Sequence, residues 1–233
     1  AIDDYLEDPK KYEANMPWYK DQISNCTYRQ FTTGFYFGKP SGLMDQTASS
    51  VGDTVAIDFA NPEAPVVRPI EANLEGLGLA LCIIDCGADH AALTGEYASI
   101  PQEMCQVAAY FGKKVLREVN EADVLANLPA LRQKVGDRAV LRALHFYADD
   151  QRAVEEADAL ASGEKEIFLN LVKESGRSSW ELLQNITPAA AVAHQDMAIA
   201  LTVAEKALNG EGACRVHGGG LPEQSRHLFR LKK

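Results

Sequence analysis

Thr54–Asp85 reads TVAIDFANPEAPVVRPIEANLEGLGLALCIID. Thr54–Phe59 and Pro65–Ile70 are short runs rich in β-branched residues, separated by the Asn61-Pro62 turn, and they predict two strands paired antiparallel. Leu77–Asp85 is almost continuously apolar and predicts a third strand, of the kind buried on both faces. Upstream, Leu43–Val51 is an apolar stretch that can open as a helix behind Ser41. From Ile100 onward the pattern turns helical. Gln102–Phe111 ends at Gly112, Arg138–Leu160 at Ser162-Gly163, and Glu164–Ser175 at Gly176. Ala189–Leu208 has Thr187 as a cap, Pro188 in its first turn and Gly210 as a left-handed stop. Short strands mixed with amphipathic helices, without regular alternation, predict an α+β fold. Neither an internal repeat nor a low-complexity linker interrupts the pattern.

The 233 residues carry 46% apolar and 24% charged residues, ordinary values for a soluble globular protein. The net charge of −10 argues against nucleic acid or an anionic membrane surface as the main partner. No apolar run approaches the roughly 20 residues needed to cross a bilayer. Ala1-Ile2-Asp3-Asp4-Tyr5 has acid where a secretory leader needs basic and then apolar residues. Cys26, Cys82, Cys86, Cys105 and Cys214 are odd in number and scattered, which suits free thiols in a reducing cytoplasm. No CxxC pair or adjoining His cluster suggests zinc, so no metal ligands are assigned.

Two glycine-punctuated segments stand out. Gly38–Gln46 reads GKPSGLMDQ, a loop opening a helix, which allows the backbone to approach a small ligand. Asp45 at that helix start would be ionised and able to accept a proton or orient a hydroxyl. Equally, it would serve as an ordinary first-turn helix carboxylate. Gly212–Gly220 reads GACRVHGGG, where three successive glycines free the backbone to curl N–H groups around an anion. Such triplets also occur in plain loops, and His217 within this one reads first as structural. Tyr97, in a predicted loop between strand and helix, could offer its hydroxyl to a polyol, although packing is the default for a tyrosine. His145 and Arg152 share a face of the long helix with Ala148 and Glu155, which reads as a solvated or interdomain salt-bridge surface.

Taken in order, the KPSGLMDQ loop, the paired strands, the apolar strand, the Tyr97 segment, the long helices and GACRVHGGG resemble the carboxy-terminal two-thirds of a galactokinase, within the GHMP family of small-molecule kinases. The most specific part is Lys39–Gly52, KPSGLMDQTASSVG, and the resemblance extends from about Phe35 to Gly220. It implies transfer of a phosphoryl group from ATP to the C1 hydroxyl of galactose or a related hexose, with Mg2+ as the accompanying ion. By position, Asp45 matches the catalytic aspartate that takes or orients the sugar proton. Gly42 matches a backbone contact to the sugar, and Tyr97 matches a tyrosine that bonds a sugar hydroxyl. Gly218, Gly219 and Gly220 match the start of the third family motif, on the nucleotide side. Phosphoryl transfer asks a protein mainly for positioning and charge neutralisation, which suits such a set.

The resemblance also has gaps. The first family motif, GEHTDY-like, and the second, a GLSSS-type loop for ATP phosphates and magnesium, do not occur in this sequence. Thr33 stands where the family usually has a magnesium-linked glutamate, and Leu221–Arg226 replaces a GFGG continuation. Pro222–Lys233 carries a net charge of +3, against −13 for residues 1–221. The expectation is therefore a truncated or frame-disrupted galactokinase, weakly active or inactive by itself. Residues 1–72 would be a remnant of the amino-terminal domain and 73–233 the carboxy-terminal domain. A non-catalytic sugar-binding or regulatory protein on the same fold is the alternative, followed by an α+β domain that binds partners through its helices. The preferred sugar and the oligomeric state stay open.

Overall fold

The structure is a computed structural model that describes residues 44–61, 64–84, 94–187, 193–216 and 228–232. The sequence-predicted sites Gly42, His217, Gly218, Gly219 and Gly220 lie outside these residues, as does the predicted helix start at Ala189. The chain divides into two units, residues 1–71 and 72–233.

In the first unit, helix α1 spans Met44–Val51 and strands β1 (Val55–Asp58) and β2 (Val66–Pro69) follow. The helix ends because Gly52 and Asp53 both take positive φ, 81° and 53°, which breaks the helical path and turns the chain into β1. β1 and β2 pair antiparallel, with Val55 opposite Pro69 and Asp58 opposite Val66. The Ile70 amide extends the ladder to the Thr54 carbonyl at 2.8 Å.

The second unit holds a three-stranded antiparallel sheet and most of the helices. Strand β3 is Ala80–Ile84. After it come α2 (Thr94–Tyr110), a 3-10 turn (Leu116–Glu118), α3 (Glu121–Ala126), α4 (Leu128–Val135), α5 (Asp137–Ala161) and α6 (Lys165–Ser178). A π-helical turn (Ser179–Leu183), α7 (Asp196–Leu208), β4 (Gly212–Val216) and β5 (Leu228–Lys232) complete it. The sheet order is β3-β5-β4. β5 falls in the basic segment where the family resemblance breaks off, and it forms the middle of the sheet.

Two cores hold this unit. Val107, Ala108, Val124, Leu131, Val140 and Ala143 lock α2, α3, α4 and α5 together. Met197, Ala198, Leu201, Ala204 and Leu208 of α7 pack with Ile186 and with Cys214 and Val216 of β4. Residues alternate across a strand, so Arg215 faces the opposite side, where Gly176 of α6 lies against it.

Several sequence expectations change. The third strand is not buried on both faces: Leu81 and Ile83 are 52% and 54% exposed, because α6 and α7 pack on β4 while β3 stands beyond β5. The predicted helix stop at Gly176 falls inside α6. A side chain there would meet Arg215 Cβ at 3.1 Å and the Cys214 carbonyl at 3.4 Å, so glycine permits the close approach of α6 to β4. The first helix of this unit begins at Thr94 and runs through Pro101, so Tyr97 lies on a helix rather than in a loop. α7 begins only at Asp196, with residues 193–195 non-helical before it.

Candidate functional site

Asp45 is the second residue of α1, within the first turn, where the exposed amide ends of the helix favour a carboxylate. Two residues on, Thr47 is fully buried and its hydroxyl has no hydrogen-bond partner among the described residues. Tyr97 is the fourth residue of α2. Asp45 belongs to the first unit and Tyr97 to the second, and each is placed within its own unit.

The start of α2 is held by an ion-paired seam that crosses to α5. Ser99 donates to the Glu96 carbonyl at 2.6 Å, closing the turn that precedes Pro101. One turn further, Glu103 receives two arginines of α5. Arg138 Nη2 lies 2.5 Å from its Oε1, and Arg142 Nη1 lies 2.9 Å from its Oε2. Arg142 is completely buried; Nη1 also reaches Ser99 Oγ at 2.9 Å and Nε donates to the Leu183 carbonyl at 3.0 Å. One side chain thus ties α2, α5 and the π-helical turn together. Burial pushes the Arg142 guanidinium below its ordinary value, against the opposing pull of Glu103, whereas the Glu103 hydrogen bonds hold Arg138 above it.

A second seam links α5, α6 and β4. His145 Nδ1 is 2.8 Å from Ser178 Oγ, and its Nε2 is 3.6 Å from Asp149 Oδ2. Asp149 also accepts from Arg152 Nε at 3.0 Å and from Ser175 Oγ at 2.6 Å. Arg215 of β4 donates in turn to Ser175 Oγ. β4 is therefore fastened immediately before the segment that carries Gly218–Gly220. Burial lowers the His145 pKa, with Asp149 opposing, and raises that of Glu156, with Arg215 opposing. The face is thus buried and ion-paired around His145, which is 6% exposed, and Arg152, while Glu155 on the same face is exposed. Its polar residues at helical spacing read as a wet face because their partners, Ser175, Ser178 and Arg215, lie on other elements.

Among the described residues, no group of three or more His, Cys, Asp or Glu side chains converges as a metal site requires. No described helix is long and apolar enough to cross a membrane.

No protein-family model matches the chain. It is 30% identical over 192 residues to the galactokinase of Pasteurella multocida, covering 79% of this chain and 45% of that protein. It is 32% identical over 146 residues to the human galactokinase, covering 61% of this chain and 35% of that protein. Its structure superposes on that of Lactococcus lactis galactokinase complexed with galactose with a TM-score of 0.67 at 18% identity, over 91% of this chain and 52% of that one. The chain spans about half the length of the curated relatives it matches, such as the galactokinase of Actinobacillus pleuropneumoniae, of which it covers 50%. It is a partial, galactokinase-like chain with the galactokinase fold.

Proposed function

We propose that this chain is part of a galactokinase-type sugar kinase, in which ATP phosphorylates the anomeric hydroxyl of galactose or a closely related hexose. The supporting observation is the KPSGLMDQTASSVG segment, whose Asp45 falls in the first turn of α1. In this reading Asp45 accepts the proton of the sugar C1 hydroxyl, or orients it, as the oxygen attacks the terminal phosphorus. Gly42 supplies a backbone contact to the sugar and Tyr97 a hydroxyl contact. Gly218, Gly219 and Gly220 serve the nucleotide side. ATP supplies the phosphoryl group; no residue of this chain is assigned to magnesium. Residues 1–72 represent part of an amino-terminal domain and 73–233 a carboxy-terminal one, acting in the cytoplasm.

The test is steady-state kinetics of the chain joined in one polypeptide to the amino-terminal segment of a homologous galactokinase. Asp45→Asn should lower turnover by about 10²–10⁴, the usual cost of a lost general base, with a much smaller change in sugar affinity. If Asp45 only caps α1, the substitution should be nearly silent, since Asn and Asp cap comparably. Retention of more than about a third of turnover removes Asp45 from the mechanism.

A further inference from the structure

Beyond that reading, the opposite end of β4 carries a second feature. A cleft of about 230 Å³ opens there between α6 and α7, lined by Lys173, Arg177, Glu205, Leu208, Gly210, Gly212, Ala213 and Cys214. β4 rises about 3.4 Å per residue, so its two ends are about 14 Å apart, and the cleft lies toward the Gly212 end.

The lining carries two cations against one carboxylate, in a chain of net charge −10. Lys173 and Arg177 stand one turn apart on α6, an arrangement that is mutually repulsive. Arg117, Arg132, Arg138, Arg142 and Arg152 each meet a carboxylate, although the chain is acidic overall. Arg177 and Lys173 meet none among the described residues. Glu205 is the one acidic residue of the lining. Gly210 and Gly212 leave the cleft wall without side chains at two points.

We propose that this cleft binds a small phosphate-bearing dianion, inorganic phosphate or a phosphate monoester. Lys173 and Arg177 grip the phosphate oxygens, and Glu205 limits affinity by repulsion. An arginine forms paired, charge-assisted hydrogen bonds with phosphate, while a lysine acts as a point charge beside it.

The test is calorimetric titration of the full chain with inorganic phosphate and with methyl phosphate, at ionic strength held constant with chloride. Saturable binding in the millimolar range or tighter is expected. Lys173→Gln with Arg177→Gln should weaken it about tenfold or more, the effect of losing charge-assisted hydrogen bonds. Glu205→Gln should tighten it severalfold, and unchanged circular dichroism establishes that each variant is folded. Equal responses to the two probes assign the site to the phosphate group itself, and preference for methyl phosphate assigns it to a monoester. Absence of saturable binding at tens of millimolar overturns the proposal, as does undiminished binding by the double variant. Weaker binding by the Glu205 variant overturns it too, because repulsion would not be what that carboxylate contributes.

Discussion

Arg142 Nη1 stands 2.9 Å from Glu103 Oε2, and the two residues divide their burden unequally. Arg142 is fully buried and depends on this carboxylate, whereas Glu103 has Arg138 as a second partner at 2.5 Å. Removing one member of a buried pair is costly chiefly because the other is left as an uncompensated charge.

Glu103→Ala should therefore destabilise the chain by about 3–5 kcal/mol in urea unfolding. Arg142→Met should cost less, about 2 kcal/mol, because Glu103 keeps Arg138 and the main loss is the hydrogen bond to the Leu183 carbonyl. The reverse order would mean that the carbonyl anchor outweighs the ion pair.

Gly176→Ala sets helix propensity against packing. Alanine gains about 1 kcal/mol in a helix interior, but its Cβ would stand 3.1 Å from Arg215 Cβ. Overpacking of a close contact costs about 1–3 kcal/mol, so the melting temperature should fall, and Gly176→Val should lower it further. A higher melting temperature for the alanine variant would show that α6 can move away from β4 without loss.

Tyr147 donates to the carbonyls of Leu116 and Val119 at 3.2 and 3.1 Å, and burial pushes its pKa up to about 12. Tyr147→Phe should cost about 1–2 kcal/mol and increase hydrogen exchange in residues 116–119. Exchange that rises uniformly along the chain would contradict this local anchoring role.

His145 should shape the acid side of the stability curve. Its folded pKa lies below the usual 6.5, so the unfolded chain binds the proton more readily. Stability is then complete above about pH 6.5 and declines as pH falls toward the lowered value. Glu156 acts in the opposite sense: its pKa is raised above 4.5, so its contribution is present at low pH and lost as pH rises through the raised value. His145→Gln should flatten the decline below about pH 6.5, and Glu156→Gln should remove the stability that its raised pKa supplies toward low pH. Denaturant midpoints measured from neutral pH downward follow both slopes.

Elements governed by local patterning were legible in the sequence, and those governed by remote partners were not. The runs Thr54–Phe59 and Pro65–Ile70 contain strands that pair antiparallel as expected, and the long amphipathic pattern became α5 with its stop at Ser162-Gly163. Gly176 misled because it reads locally as a breaker, whereas the close surface of β4 requires a residue without a side chain there. Leu77–Asp85 looked like a core strand by composition alone, but burial depends on what packs above and below. Asp45 was legible as a helix-start carboxylate, whereas the seams around Arg142 and His145 join residues more than 30 positions apart.

The placement of β5 in the middle of the sheet sets a timetable for synthesis. β3 ends at Ile84 and its partner begins at Leu228, about 140 residues later. At roughly 5–20 residues per second, the ribosome would leave β3 without its neighbour for about 7–28 s after it is made. During that interval Leu81, Cys82, Ile83 and Ile84 present an uncharged run with no partner strand among the described residues, the kind of segment chaperones engage. A nascent chain stalled before Leu228 would hold β3 and β4 with nothing to join them, so the sheet can close only when Leu228–Lys232 leaves the ribosome.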